Sequence, residues 1–571
     1  MSWPVQKSRL QSNIDNSLPM KIVATNITSP LGFTTQHNLD AVMQGESRLH
    51  TWHGTFGIPE PFCASLFSNR QNRDLQVAGL TRFQSLVYKS VYEALSHCNV
   101  NVSSPRTLFV LSSTKGDITI PLGTTATRIA TALGFTTKPI VVCNACTSGV
   151  CAQILALRLF QTGAYDNIVV CGADLQGKFI VSGFQSLKAT SAQPCRPFDM
   201  ERNGLNLGEA AATIIFSREQ SSEQEPCWHL LSGAIRNDAH HISNPSKTAE
   251  GSYRSIQAVL TPERKDRLSL ISVHGTATLY NDQMESIAIQ RSSLSDVPVT
   301  ALKGYYGHTM GATGVIETIL AIHFADKGQV PPSRGFSEPG VSGRINISDQ
   351  AITTPPGSVL KIISGFGGCN AALYLENCQD CSIQLKSSGY TAVSSVSITT
   401  DTVVRDGFPV PTTQLGRALL TELYKTHIAD YPKFYKMDML SKLVFVASEM
   451  LNKSDTTCGN QDCAVILFNR TSSIVADMEY MQTIKPDNYY PSPSLFVYTL
   501  PNICTGEIAI RNNYYGETAF YILPDKDPAL MNQIVSASMT ENDNTYLITG
   551  WVDCNNDNDF EIELKLIIRN N

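Results

Sequence analysis

Hydrophobic positions along this chain follow two periods in alternation. Lys21-Ile-Val-Ala-Thr25, Leu108-Phe-Val-Leu-Ser112 and Asn167-Ile-Val-Val-Cys-Gly172 are short runs rich in β-branched residues, apolar enough to read as strands covered on both faces. Between the first two, Gln84 to His97 puts Leu86, Val87, Val91 and Leu95 on one face of a helix. A second block repeats the alternation from near Ala234. It has a strand at Leu268-Ser-Leu-Ile-Ser-Val-His274 and helical patterns over Glu285 to Ser292 and Thr313 to Lys327, and it closes with strands at Val359-Leu-Lys-Ile-Ile363 and Ala371-Ala-Leu-Tyr-Leu375. Strand and helix in turn predict an α/β chain with buried strands, in two halves at 20–233 and 234–378.

The pattern then lapses. Asn377 to Ser395 is rich in Ser, Cys and Gly without a period, which predicts a linker over 379–395. Residues 396–571 resume the alternation, with strands read at Lys442-Leu-Val-Phe-Val-Ala447 and Ala464-Val-Ile-Leu-Phe468 and a helix over Ala529 to Met539. At the other end, 1–19 is polar, lacks a signal-peptide core and reads as a disordered leader.

Composition narrows the function classes. A chain of 571 residues is too long for one ordinary core. A net charge of −6 without any Lys/Arg block argues against nucleic acid as a partner, and no apolar run reaches membrane-span length. The 15 cysteines lie mostly in apolar strands, which predicts reduced thiols and a cytoplasmic setting. Cys378-Gln-Asp-Cys381 has metal-ligand spacing, but no second pair and no nearby His completes a tetrahedral set, so no metal is assigned.

The candidate chemistry starts at Cys146. The run Pro139-Ile-Val-Val-Cys-Asn-Ala-Cys146-Thr-Ser-Gly149 reads as a strand and a tight turn, and Val150, Ile154, Leu157 and Phe160 continue it as a helix. A thiol at a helix N-terminus meets unpaired N–H groups that favour thiolate and can donate to an oxyanion. Alone, a cysteine there is more often a core residue. Four further patterns change the weighing. They are Cys195-Arg-Pro-Phe-Asp199 running on to Glu209, His274-Gly-Thr-Ala-Thr278, Lys303-Gly-Tyr-Tyr-Gly-His308 followed by Glu317, and Gly365-Phe-Gly-Gly-Cys-Asn370.

In order and spacing this set resembles the β-ketoacyl-acyl carrier protein synthases, over about Met20 to Leu375. The resemblance implies a thiolase-like layered α/β/α/β/α architecture built from two similar halves. It implies an enzyme that elongates a carrier-bound acyl chain by decarboxylative Claisen condensation with a malonyl-carrier, in fatty-acid or polyene/polyketide-type biosynthesis. Cys146 would accept the acyl chain, and His274 and His308 would stabilise the enolate. Lys303 and Glu317 would hold the His308 loop, Thr276 and Thr278 would bind pantetheine, and Phe366 would gate, its N–H forming an oxyanion hole with that of Cys146. The partner would be an acyl carrier protein bringing its own phosphopantetheine, with no cofactor or metal needed. Ser364 stands where the family often has an aromatic, and the interval from Ser113 to Cys146 is short. A non-condensing thioester acyltransferase, or a non-catalytic carrier-binding or length-setting subunit, is the alternative. Intact Cys146, His274, His308 and Lys303 disfavour the latter.

The C-terminal third resembles the amino half of the same fold. Tyr490 to Ile510 is similar to the family's pre-nucleophile region, Ala519-Phe-Tyr-Ile-Leu-Pro524 takes the place of Ile140 to Cys146, and Asp543 to Asp553 echoes Asp166 to Asp174. It carries no cysteine at the nucleophile's place. The expectation is a degenerate α/β half-domain at 396–571, packed as a chain-length-factor-like partner in an internal pseudo-dimer, unless the chain is a homodimer.

Overall fold

The computed structural model describes residues 17–18, 20–218, 227–379, 383–384, 389–451, 462–485, 489, 491–541 and 545–570. Of the expected leader, only Ser17 and Leu18 are among them, and they pair with Gln384 and Ile383.

Three successive stretches of chain lay down five strands each in one order. The first has β1 (Lys21–Thr28), β2 (Thr107–Ser112), β3 (Ile140–Val142), β4 (Asn167–Asp174) and β5 (Ala210–Ser217). The second has β6 (Cys227–Asn237), β7 (Leu268–Ser272), β8 (Pro298–Thr300), β9 (Ser358–Gly365) and β10 (Cys369–Cys378). The third has β11 (Tyr390–Thr399), β12 (Ala464–Asn469), β13 (Thr518–Ile522), β14 (Tyr546–Asn556) and β15 (Asp559–Arg569). In every unit the second strand runs parallel to the third and fourth, the fourth is antiparallel to the fifth, and the fifth is antiparallel to the first.

The helices repeat as well. In the first unit α1 (Arg82–Leu95), α2 (Leu122–Leu133) and α3 (Ser148–Gln161) follow the first, second and third strands, with α4 (Lys178–Ser186) added after β4. The second unit has α5 (Glu250–Val259), α6 (Leu279–Arg291) and α7 (Thr313–Asp326) in the same places. In the third, α8 (Met439–Met450), α11 (Ile503–Asn512) and α12 (Pro528–Glu541) match them, and α9 (Ile474–Thr483) and α10 (Pro493–Tyr498) are inserted after β12. Helix α3 is buried along its whole length and α7 nearly so. They cross so closely that a β-carbon on Gly314 would lie 2.6 Å from the Val150 nitrogen. This is the mixed α/β, thiolase-like architecture expected of the first two units.

The third unit joins the first edge to edge. Its β13 pairs antiparallel with β3, Tyr521 opposite Val142 and Ile522 opposite Val141, so equivalent strands meet. Arg158 of α3 pairs with Glu517 at 2.7 Å, both buried, and Glu517 also accepts from Ser538 of α12.

Several local expectations need correction. Lys442 to Ala447 lies in α8, not in a strand. The segment is apolar on every side because it is buried all round, which removes the helical period, and Asp438 caps it through the N–H groups of Leu440 and Ser441. The boundary expected at 233/234 falls inside the continuous strand β6, and β11 begins at Tyr390 inside the expected linker. Cys378 is held in a disulfide, unlike the other cysteines described, so the thiols are not all reduced. Among the described residues no helix is long and apolar enough to cross a membrane.

Candidate active site

Apart from Glu317, which lies in α7, each predicted site residue comes from the C-terminal end of a strand or from the segment that follows it. Strand β3 ends at Val142, and Ala145–Thr147 forms one 3₁₀ turn leading into α3. The turn is strained: Ala145, just before the nucleophile, has φ 49°. Ala277, after His274, and Met310, after His308, are also left-handed at 60° and 53°. Non-glycine residues there cost about 1–3 kcal/mol each and persist only where the surroundings hold them.

Cys146, His274 and His308 converge, with one ligating atom of each within 4.8 Å of the others. The rings stand edge to face at 5.1 Å. Their tautomers follow from the hydrogen bonds. The N–H of Met310 donates to His308 Nδ1 at 3.2 Å, and Lys303 Nζ lies 3.1 Å from His274 Nδ1 as a donor. Both Nδ1 atoms therefore accept, both protons sit on Nε2, and His308 Nε2 is buried without a partner. Two Nε2–H donors suit a developing oxyanion, whereas a metal would need Nε2 lone pairs, so this trio does not fit a metal ion.

Burial holds both imidazoles well below the ordinary histidine range, and Lys303 adds to the effect. Burial likewise pushes the Cys146 thiol up to about 12, opposed by Lys303. The thiolate expected at the helix N-terminus is thus not the resting form, because desolvation outweighs the favourable charges.

The Lys303–Glu317 pair forms at 2.8 Å, with a third member that the sequence reading missed. Lys361 of β9, fully buried, reaches the other Glu317 oxygen at 2.7 Å and donates to the Val273 carbonyl. Its signal was visible: one lysine inside the apolar run Val359-Leu-Lys-Ile-Ile363. Two carboxylates were also passed over. Glu285 accepts from the N–H groups of His274 and Gly275, and Asp174 accepts from those of Gly311 and Thr114, tying the His308 loop to the first unit.

A cavity of about 350 Å³ opens onto Cys146, His274 and His308, with Thr276, Thr278 and Phe366 in its wall. The two threonine hydroxyls lie 2.8 Å apart. The β9–β10 turn sits against the nucleophile turn, since a β-carbon on Gly365 would be 3.3 Å from the Cys146 nitrogen. Ser364 is engaged by Asn370 at 2.7 Å and Ser252 at 3.2 Å, a polar bracket. The third unit reaches this wall. Asn502 donates to the Phe366 carbonyl at 2.8 Å, and Phe184, stacked on Phe366, packs edge-on against Phe496.

Known proteins resemble this chain over part of its length. Residues 119–222 match the family described as beta-ketoacyl synthase, N-terminal domain, and residues 229–337 match its C-terminal domain. The tetracenomycin polyketide synthase ketoacyl synthase alpha subunit of Streptomyces glaucescens is 32% identical over 253 residues, 41% of this chain and 59% of that protein. The 3-oxoacyl-[acyl-carrier-protein] synthase 2 of Rhizobium meliloti is 29% identical over 251 residues, with the same two shares. The chain thus spans less than two thirds of the length of these curated relatives. Among solved structures, the PfaC keto synthase–chain length factor superposes with a TM-score of 0.77 at 12% identity, covering 96% of this chain and 78% of that one. The ketosynthase ApeO in complex with its chain length factor ApeC, from Xenorhabdus doucetiae, gives 0.55 at 22% identity, covering 63% and 98%. Residues 119–222 and 229–337 thus match the two domains of the β-ketoacyl synthase family in their order, over part of the chain.

Proposed function

We propose that this chain elongates a carrier-bound acyl chain by decarboxylative condensation. The observation that carries the reading is the pair of fixed Nε2–H donors, His274 and His308, converging on the Cys146 sulfur. Cys146 would first attack the acyl thioester, and its proton would end on the departing pantetheine sulfur, so thiol exchanges for thiol without a net base. Loss of CO₂ from a malonyl thioester leaves an enolate, whose oxygen the two imidazoles would stabilise. Its carbon attacks the acyl group, and the Cys146 sulfur leaves and takes a proton from solvent. Neutral imidazoles serve as donors throughout.

Lys303, with Glu317, would position the His274 ring and the His308 loop, and Thr276 and Thr278 would hold the pantetheine arm. Phe366 would gate the cavity, its N–H joining that of Cys146 as the oxyanion hole. The partner is an acyl carrier protein, which brings the phosphopantetheine, and no cofactor of the enzyme's own enters these steps. We place the reaction in the cytoplasm, consistent with the free, mostly buried thiols among the described residues. Residues 396–571 would be a non-catalytic second subunit fused in place, an internal pseudo-dimer that shapes the acyl site. The contacts of Asn502 and Phe496 with the Phe366 wall support this, as does the likeness in fold to a keto synthase–chain length factor.

Mass spectrometry of the full chain with acyl-carrier and malonyl-carrier tests the reading. The expected result is an acyl adduct on Cys146 and a ketoacyl product two carbons longer. An adduct without elongation would make it an acyltransferase, and elongation by Cys146→Ala would sink the mechanism.

A further inference from the structure

The two N–H groups of the proposed oxyanion hole come from turns in different units, Cys146 from the first and Phe366 from the second. Both turns are bonded to the third unit. The peptide between Phe366 and Gly367 is held at each end, its carbonyl by Asn502 at 2.8 Å and its N–H by the Ile242 carbonyl at 2.7 Å. The next carbonyl, that of Gly367, accepts from Asn237 at 2.8 Å, and Asn237 also donates to the Thr518 hydroxyl at 3.0 Å. Thr518 opens β13, and its own carbonyl accepts from Asn144 at 3.1 Å. Asn144 stands two residues before Cys146 and accepts from the Phe520 N–H at 2.7 Å. Asn144, Asn237, Asn502 and Thr518 are all buried. Thr518 is therefore linked through one asparagine to the nucleophile turn and through another to the Phe366 turn.

Asn502 departs from its usual use. It sits at the N-cap of α11, where an asparagine ordinarily accepts an N–H of its own helix, and it makes no such bond. Its amide goes to Phe366 instead, and its Oδ1 is buried without a partner among the described residues. A buried acceptor left unpaired costs stability, so the orientation calls for a reason outside the helix. One turn on, a β-carbon on Gly506 would lie 2.5 Å from the Gly367 oxygen, so α11 lies flush against the turn. We propose that Asn502 and Thr518 are positioning residues that set the Phe366 N–H against that of Cys146, a role that rests on the synthase reading above. In acyl transfer, charge develops on the thioester oxygen between these two N–H groups, whereas loss of CO₂ places it at His274 and His308. A shifted Phe366 turn slows attack on the acyl carbonyl and spares decarboxylation by comparison.

Asn502→Leu keeps the branched shape and removes the donor. In the full chain it should lower the rate of Cys146 acylation by acyl-carrier at least about ten-fold, as a misplaced reacting geometry does. With malonyl-carrier added, the ratio of acetyl-carrier to ketoacyl-carrier should rise, because the enolate still forms but takes a proton before it reaches the acyl carbon. Thr518→Val, nearly isosteric, should move both readings the same way by less, and it carries the test if Asn502→Leu does not fold. Hydrogen exchange needs no turnover: the Gly367 amide should exchange faster in Asn502→Leu than in wild type, while those of β10 keep their rates. Acylation and CO₂ release lowered by one common factor would make the residue merely structural, and unchanged acylation or unchanged exchange would overturn the role. A wild-type chain that forms no adduct on Cys146 would instead sink the synthase reading, and the exchange result would still decide whether Asn502 holds the turn.

Discussion

At the scale of single residues, charge balance around Glu317 separates structural from chemical effects. Glu317 bridges two buried lysines, Lys303 and Lys361, beside the two imidazoles, and its carboxylate is the one both lysines contact directly. Glu317→Gln removes the carboxylate that both buried lysines contact and should cost about 3–5 kcal/mol in chemical denaturation, enough to leave little folded protein. Lys361→Met keeps the Lys303–Glu317 pair intact and should cost clearly less; an equal loss in both variants would contradict the assignment. The imidazoles carry a pH signature of their own. Their folded pKa values are depressed, so the unfolded chain binds protons near pH 6.5 that the folded chain refuses. The stability they contribute is present above that pH and is lost as pH falls. His274→Asn should therefore make stability between pH 6 and 5 less steep by up to about 1.4 kcal/mol per pH unit relative to wild type. Much of this site was legible, because Cys146, His274, His308, Lys303 and Glu317 each lie in a short run with its own glycines. Lys361 left only the mark of one charge inside an apolar strand, and the roles of Glu285 and Asp174 were not legible, since both accept from backbone N–H groups of other segments that no local pattern links to them.

At the scale of elements, what the sequence reveals depends on how many sides of an element are covered. Strand β5 is buried at every position, whereas its counterpart β15 alternates, with Asp559, Glu561, Glu563 and Lys565 exposed. The alternation marks a strand with one open face, while uniform burial erases the period and made α8 read as a strand. The same covering makes the α3–α7 crossing intolerant of bulk. A methyl at Gly314 would press on the Val150 backbone, which cannot rotate away. Gly314→Ala should lose about 1–3 kcal/mol through overpacking, and much of the elongation activity with it, because Gly314 follows the His308 loop directly. Gly177, with nothing within 4 Å of a β-carbon, is the matched control, and Gly177→Ala should stay within about 0.5 kcal/mol of wild type. Thermal and denaturant midpoints of the two variants decide the point.

At the scale of the whole molecule, the third unit occupies the β3 edge of the first. It repeats the first unit's strand order, and its Asp553 accepts from the Arg470 N–H much as Asp174 accepts from that of Thr114. Yet its open face is charged where the first unit is covered by the second. A chain ending at residue 387 removes three supports at once. The β3 edge loses its pairing with β13, Arg158 loses Glu517 inside the core, and Lys115 loses Asp477, an ion pair of 2.5 Å between the units. An uncovered strand edge pairs with whatever edge it meets, and an uncompensated buried charge is expensive. The truncated chain should therefore aggregate, or dimerise through β3 against β3, in light scattering. The full chain should behave as one pseudo-dimer with a single acylated cysteine, because its β3 edge is already taken. Co-expression of 388–571 as a separate chain should restore solubility, since strand pairing and buried ion pairs hold it to the first unit. A truncated chain that stays monomeric and makes the same product at the same rate would mean that the third unit is an appendage.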